Sequence, residues 1–167
     1  MGRITFRVND KGFTLIELIV VLILLSILAA VAAPRFLDLI NPSKENVTKY
    51  RLEELKKAIV GNPDVVAAGT YSARGFRGDV GSFPVALTDL VSQGGYPVWN
   101  RYTRKGWNGP YVDASAGQYL IDAWNNNFTY QPACTPVRII SNGANGVLDT
   151  VGCGAVGGDD IFLELRF

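Results

Sequence analysis

The chain falls into three stretches of different polarity. Residues 18–33 contain no charged side chain, and Glu17 stands immediately before them. Residues 44–60 mix apolar and charged positions, and the rest of the chain is broken by glycine, proline and asparagine into short segments. The pattern predicts an apolar helix, then an amphipathic helix, then a head built of short elements.

Residues 44–60 have the periodicity of a helix that packs on a globular core. One face carries Leu52, Leu55 and Ile59. Another face carries Lys49, Glu53 and Lys57 at i,i+4 spacing, which predicts a solvated ion-pair ladder.

The ends of this helix are predicted from its helix-breaking residues. Asn41-Pro42-Ser43 is expected to interrupt the helix: either Asn41 caps a new helix with Pro42 at its first position, or the long helix bends there. Gly61-Asn62-Pro63 is expected to end it. Residues 64–83, which contain four glycines, predict an extended connection with a short helix at its start.

The head is predicted to contain a small antiparallel sheet. Strands are expected at residues 128–130, 137–141 and 161–167, where β-branched and aromatic side chains cluster. Before them, residues 84–92 fit a short helix with Leu87, Leu90 and Val91 turned inward.

The N-terminal apolar stretch predicts a membrane anchor. Basic residues dominate the eleven positions before it, so the positive-inside rule places the N-terminus in the cytoplasm and the chain after Pro34 outside. Residues 13–36 would form about 36 Å of helix, enough for a hydrocarbon core of about 30 Å. Pro34 is expected to kink or locally melt that helix. The alternative is a cleaved secretory signal peptide, but Glu17 is costly in such a segment and a cut before Pro34 would leave a proline at the new N-terminus.

Composition narrows the possible chemistry. The formal net charge is +1, which does not favour nucleic acid as the main partner, and two arginines near residue 75 are too few to change that. The sequence has no histidine, which excludes histidine triads and histidine zinc sites.

Cys134 and Cys153 lie on the exported side, where a disulfide worth about 3 kcal/mol is expected, with two free buried thiols as the alternative.

The segment from Lys11 to Ile19 resembles the type III signal of type IV pilins and type II secretion pseudopilins. It has a basic leader, Gly12 before Phe13, Glu17 at the fifth position after that junction, and an apolar helix containing Pro34. The resemblance implies that a prepilin peptidase cuts between Gly12 and Phe13 and that Phe13 is N-methylated.

The resemblance also implies a type IV pilin-like α+β fold, in which a long N-terminal helix packs on a small antiparallel sheet. The expected organisation is a basic leader at 1–12, a transmembrane and filament-core helix at 13–36, its amphipathic continuation at 37–61, and a periplasmic head at 62–167.

Cleavage would give Glu17 a partner. In a bundle of staggered helices, the Glu17 carboxylate of one subunit can meet the freed α-amino group of Phe13 of its neighbour. In low dielectric such a pair sets the axial register, although desolvation cancels much of its net energy. The alternative is a glutamate that reaches the membrane interface and has no role in assembly.

The head resembles the major pseudopilin of type II secretion systems. The shared features, in chain order, are Gly109-Pro110-Tyr111, Asp122-Ala123-Trp124-Asn125, Ser141-Asn142-Gly143 and Asp159-Asp160-Ile161. In that family the loop before the last strand binds calcium, which takes six to eight oxygen ligands.

Carried over to this sequence, the calcium ligands would be Asn145, Asp159 and Asp160 with the Asn142 carbonyl. Asn145 stands where an aspartate is usual, which should weaken binding, and Asp149 would supply the missing carboxylate. The alternative is an acidic turn capped by its own backbone amides, with the disulfide holding the loop instead.

These observations predict a non-enzymatic filament subunit of a type II secretion pseudopilus. Its expected partners are copies of itself, the prepilin peptidase, an inner-membrane assembly platform and other pseudopilins. A major type IV pilin for adhesion, motility or DNA uptake is the alternative: the head favours secretion and the cysteine pair favours a pilus. A soluble exported enzyme is a remote third reading, because Asp113, Asp122, Asp159 and Asp160 show no spacing typical of paired catalytic carboxylates.

Overall fold

The structure is a computed structural model that describes residues 12–62, 64–67, 70–71 and 73–166, so the leader residues before Gly12 lie outside it. The chain forms two compact units, one ending at Ile40 and the other beginning at Asn41. In chain order the elements are α1 (Leu15–Val60), β1 (Val66–Ala67), β2 (Thr70–Tyr71), α2 (Gly75–Val80), two 3-10 helices (Leu87–Leu90 and Ser115–Leu120), β3 (Thr129–Gln131), β4 (Val137–Ser141) and β5 (Ile161–Leu165).

The first unit consists of the N-terminal part of α1. Its side chains are described as far as Val31, and the large apolar ones among them are exposed in the single chain. The Ser26 hydroxyl donates to the Leu22 carbonyl at 2.7 Å, so this polar group is satisfied within the helix. Among the described residues, no helix combines the length and the apolarity needed to cross a membrane.

Of the two alternatives at Asn41-Pro42-Ser43, a new helix capped by Asn41 is wrong, because α1 runs through this tripeptide. Local melting at Pro34 is wrong for the same reason, since Pro34 also lies within α1. A proline removes one backbone hydrogen bond, and the bonds of the neighbouring residues are enough to keep the helical path. The predicted end is confirmed: α1 stops at Val60, and Gly61 has a φ of +103°, the left-handed conformation that glycine provides after a helix.

The core of the second unit lies between the C-terminal part of α1 and the three-stranded sheet. Leu52, Leu55 and Ile59 are at most 2% exposed, which confirms the predicted apolar face. They cluster with Phe76, Leu87, Leu90, Phe128, Val137, Ile139 and Leu165. The charged ladder differs from the prediction: the pairs are Glu45–Lys49, Glu53–Lys56 and Glu54–Lys57.

The sheet has the strand order β3-β4-β5, and both pairings are antiparallel. The last printed pair of the β4–β5 ladder joins Ser141 to Ile161. The chain therefore leaves β4 at Asn142 and returns at Asp160, so one step beyond the ladder these two residues come opposite each other. The sheet predicted from the sequence is confirmed, with β5 ending at Leu165 and Phe167 outside the described residues.

Between α1 and the first 3-10 helix the prediction placed the short helix at the wrong end. β1 and β2 pair with each other just after α1, and α2 follows them at Gly75–Val80. Phe76 is the reason: it is fully buried, with its ring centroid 5.0 Å from that of Tyr96 and 5.6 Å from that of Tyr111. Packing of this one aromatic side chain outweighs the low helix propensity of two glycines.

Candidate functional site

The start of α1 is a capping box formed by Thr14 and Glu17. Glu17 Oε2 accepts hydrogen bonds from the Thr14 amide at 3.1 Å and the Thr14 hydroxyl at 3.0 Å. In return, the Glu17 amide donates to Thr14 Oγ1 at 3.3 Å. The box satisfies backbone donors that a helix start leaves without partners.

This arrangement gives Glu17 a partner in its own chain, which the sequence interpretation missed. The signal was present, because threonine followed three residues later by glutamate is the signature of a capping box. The box uses only Oε2, and within the described residues Oε1 accepts no hydrogen bond. One carboxylate oxygen is therefore left for a second partner.

The Gly12–Phe13 junction lies before the first residue of α1. Both residues are exposed, and no atom lies within 4 Å of the Cβ position of Gly12. The peptide bond lies before α1, and among residues 12–166 as far as they are described, neither a helical hydrogen bond nor packing blocks access to it. Residues 1–11, which carry the basic part of the motif, lie outside the described residues.

In the second unit, a turn at residues 121–126 ties α1 to the sheet. Arg51 donates from Nη1 to the carbonyls of Ile121 and Asp122, both at 2.9 Å. The buried Thr48 hydroxyl accepts the Ala123 amide at 3.1 Å. These bonds use backbone groups of the turn, so the turn is a contact by which α1 is held in the second unit.

Asp122 organises that turn. Its Oδ1 accepts the amides of Trp124 and Asn126, and its Oδ2 accepts the Ser141 hydroxyl at 2.6 Å. The residue is 1% exposed. A buried side chain whose two oxygens both accept hydrogen bonds from the turn and from β4 is a structural anchor.

The loop between β4 and β5 is built around two neighbouring carboxylates. Asp159 Oδ2 accepts the amides of Ala144 at 2.6 Å and Asn145 at 2.9 Å. Asp160 Oδ2 accepts the amides of Asp149 and Thr150 and the Thr150 hydroxyl, at 2.7–3.0 Å. Each carboxylate thus fixes one half of the loop through backbone donors.

Glycine is required where this loop folds against Asp159. Gly143 has a φ of +63°, and a Cβ placed on it would lie 2.3 Å from the Asp159 carbonyl oxygen. Asn145 also holds the loop: its Oδ1 accepts the Val147 amide at 2.6 Å, and its Nδ2 donates to Asp149 Oδ2 at 3.1 Å. The amide side chain at 145 therefore makes a neutral bridge to the carboxylate at 149.

Two oxygens of this loop are buried without a partner: Asp160 Oδ1 and Asn142 Oδ1. A buried acceptor without a hydrogen-bond partner destabilises the folded state by about 1–3 kcal/mol. A bound donor or cation is one usual way in which proteins satisfy such an oxygen. The structure brings the five predicted ligand residues into one loop. Within the described residues, however, no group of three or more acidic, cysteine or histidine side chains is arranged to hold a metal ion.

The disulfide predicted between Cys134 and Cys153 is confirmed. The two Cα atoms are 5.5 Å apart, and 19 positions separate the residues in the sequence. Beside it, Arg138 of β4 donates from Nη1 to the Gly154 carbonyl at 2.6 Å. The covalent bond and the hydrogen bond together fasten the middle of the loop to the sheet.

A second buried carboxylate lies at the C-terminal part of α2. Asp79 is 5% exposed; its Oδ2 accepts the Tyr111 hydroxyl at 3.2 Å, and its Oδ1 lies 3.9 Å from Arg74 Nε. Burial raises the pKa of Asp79, opposed by the Tyr111 hydrogen bond and the Arg74 charge. Burial likewise raises the pKa of Tyr111 to about 12, so the phenol remains a donor at neutral pH.

Two family models match the chain. The prokaryotic N-terminal methylation motif matches residues 7–33, and type II secretion system protein G matches residues 65–157. The second match covers most of the globular unit, including the turn at 121–126, the cysteine pair and the β4–β5 loop up to residue 157.

Individual relatives agree with these models. The type II secretion system core protein G of Pseudomonas aeruginosa is 29% identical over 142 residues, covering 84% of this chain and 87% of that protein. The core protein G of Xanthomonas campestris is 26% identical over 125 residues, covering 75% and 71%. The type IV major pilin protein PilA of Myxococcus xanthus is 42% identical over 53 residues, only 32% and 24% of the two chains.

No solved structure matches the chain. The family assignment therefore depends on sequence, and the fold seen here agrees with it: a long N-terminal helix and a small antiparallel three-stranded sheet. With the head and the N-terminal motif both matched, the chain belongs to the family of type II secretion system protein G, the major pseudopilins.

Proposed function

We propose that this chain is the structural subunit of a type II secretion pseudopilus, made as a prepilin, processed and polymerised. The observation that carries the proposal is the protein G match over residues 65–157, because the head is where pseudopilins and pilins differ. The subunit acts by assembly and not by catalysis.

Processing is proposed to remove residues 1–12 and to methylate the new N-terminus at Phe13. The methylation-motif match at 7–33 supports this, as does the position of the exposed Gly12–Phe13 junction outside α1. Cleavage leaves Thr14 and Glu17 in place, so the capping box persists in the mature chain. The intact mass of the protein recovered from membranes tests the step: it should equal residues 13–167 plus one methyl group.

Glu17 is proposed to have two roles, one for each carboxylate oxygen. Oε2 closes the capping box with Thr14. Oε1 then meets the α-amino group of Phe13 of a neighbouring subunit and sets the axial register of the filament. Pro34, within the same helix, is assigned to the assembly segment as well.

Before assembly, residues 13–36 are proposed to hold the subunit in the inner membrane with its head in the periplasm. The sequence supports this through the basic leader and the uncharged run at 18–33. The proposed partners are then the prepilin peptidase, the assembly platform in the same membrane, other pseudopilins and copies of this chain.

A type IV pilin remains the second candidate, and the relatives explain why. Matches to pilins are short: 53 residues for the Myxococcus xanthus protein and 35 residues for the Thermus thermophilus narrow pilus component PilA5. A match of that length is expected of any protein that shares the N-terminal assembly signal. The protein G matches extend over the head and therefore favour secretion.

Calcium is proposed as a ligand of the β4–β5 loop. The residues fit in one respect: Asp160 Oδ1 and Asn142 Oδ1 are buried oxygens without a partner, on opposite sides of the end of the β4–β5 ladder. Asp159, Asp149 and the Asn145 side-chain oxygen would complete a set of oxygen ligands. The backbone amides of the loop bind Asp159 and Asp160 through Oδ2. The ion would neutralise the negative charge of these two carboxylates.

The calcium proposal is tested by the melting temperature of the full chain in detergent, with calcium and with chelator. Calcium should raise the melting temperature of the wild type and should not raise that of Asp160→Asn, which keeps the size of the side chain and loses the charge. Equal melting temperatures of the wild type under both conditions would refute the proposal and leave the disulfide as the element that holds the loop.

A further inference from the structure

The charges of the globular unit are separated along the chain. Residues 90–112 contain three basic residues and no acidic one, whereas residues 139–165 contain four acidic residues and no basic one. Among the described residues, Arg101, Arg104 and Lys105 form no ion pair with a carboxylate. Both stretches belong to the second unit. Glu164 is paired with Arg138 and Arg166, so Asp149, Asp159 and Asp160 are the carboxylates of the acidic stretch that form no ion pair among the described residues.

The basic surface is a rigid loop with an aromatic apex, here called the basic loop (residues 98–105). The Asn100 amide donates to the Lys105 carbonyl and the Arg104 amide to the Asn100 carbonyl, both at 2.8 Å. Asn100 Oδ1 also accepts the Tyr102 amide at 2.9 Å. Tyr102 is nevertheless 85% exposed, with the Arg101 guanidinium 5.4 Å from its ring centroid.

A preorganised loop that exposes a tyrosine flanked by arginines has the properties of a binding hot spot. Tyrosine and arginine are enriched at such positions, and a loop already held in one conformation loses little entropy on docking. Val98 at the base of the loop is also 73% exposed, which adds apolar area to the same surface.

The acidic surface contains a groove of about 400 Å³ between α1 and the end of the β4–β5 loop, here called the acidic groove. Its lining includes Pro42, Glu45, Trp124, Asp159, Asp160 and Ile161. The groove thus combines three carboxylates with apolar walls.

We infer that the basic loop of one copy docks in the acidic groove of the next copy in the filament. The Tyr102 hydroxyl can donate a hydrogen bond to a groove carboxylate. Arg101 then faces Glu45 across the contact. The contact joins two different surfaces, and such heterologous contacts build open helical polymers when the rotation does not close.

This inference rests on the proposed filament function and adds the contact between heads. It is tested by a charge swap in the full chain expressed with its assembly machinery, with filament yield measured by sedimentation and electron microscopy. Arg101→Glu should lower the yield about tenfold, equivalent to about 1.4 kcal/mol. Combining Arg101→Glu with Glu45→Lys should restore most of it, because the opposite charges meet again with their positions exchanged.

Arg166→Glu is the matched control, since it makes the same change in net charge on an exposed side chain outside both surfaces. Tyr102→Ala, which leaves the charge unchanged, should also lower the yield. All variants must first show the disulfide and the wild-type melting temperature. Filaments of the wild-type chain in the same assay show that the polymer forms, whichever contact its heads make.

With those filaments present, wild-type yield from Arg101→Glu would overturn the docking and leave the filament function standing. A defect of Arg101→Glu that Glu45→Lys does not relieve would overturn the acidic groove as the acceptor.

Discussion

At the scale of single residues, the account centres on Glu17. The sequence identified it as an unpaired acid beside an apolar run and predicted a partner in another subunit. The structure adds Thr14 as a partner within the chain, with 3.0 Å between its hydroxyl and Glu17 Oε2. The intermolecular partner cannot appear in one chain, whereas the capping box was readable from the spacing of Thr14 and Glu17.

The two roles of Glu17 are separated by the Glu17→Gln substitution. Glutamine at this position still completes a capping box, but it carries no charge for the Phe13 amine. We expect Glu17→Gln to keep membrane insertion and stability while abolishing or severely slowing filament formation. Glu17→Ala should fail in the same way, with the loss of the cap as a second defect. Normal filaments from Glu17→Gln, scored by electron microscopy, would restrict Glu17 to capping.

Asp79 gives the head a pH dependence of stability. Because burial raises the pKa of Asp79 in the folded state, the folded chain binds a proton more readily than the unfolded one. Its contribution is therefore fully present below about pH 3.8, the usual aspartate value, and is lost as pH rises through the folded pKa.

Asp79→Asn should remove that contribution and flatten the change in unfolding free energy in the range above about pH 3.8. Asparagine keeps an oxygen that can accept the Tyr111 hydroxyl, so the fold should persist. The check is a series of urea denaturations of both proteins across this range. The same pH slope in both would show that the ionisation of Asp79 is not coupled to folding.

At the scale of elements, the correct predictions are those that depend on hydrophobic periodicity or on residues that end a helix. β4 was placed at residues 137–141, where the structure has it, and the end of α1 was placed at Gly61. The new helix that Asn41 would cap does not form, because two flanking helical segments outweigh a local breaker. α2 was placed at the wrong end of its segment because the burial of Phe76, a tertiary contact, determines it.

The disulfide is expected to stabilise the β4–β5 loop as an element. Replacing Cys134 and Cys153 with serine should cost about 3 kcal/mol in unfolding free energy, from the closure entropy of a loop whose ends are 19 positions apart. Arg138→Ala, which removes only the hydrogen bond to Gly154 and an ion pair with Glu164, should cost less. Urea denaturation of the full chain in detergent measures both. Equal stability of the double serine variant and the wild type would show that the loop is held without the disulfide.

At the scale of the whole molecule, a separate family model matches each of the two units. Pilins share the N-terminal motif, and the head carries the match to protein G. The structure adds contacts between residues that are distant in sequence: Arg51 and Thr48 bind the turn at Asp122, and Glu45 of α1 lines the same groove as Asp159 and Asp160.

Deletion of the gene in its own host distinguishes a pseudopilus from a pilus, with secreted proteins measured in the periplasm and in the medium. Proteins exported through the type II pathway should accumulate in the periplasm, the wild-type chain should restore their release, and Glu17→Ala should not. Unchanged release from the deletion strain, with loss of surface pili or of motility instead, would contradict the pseudopilus and establish a pilin.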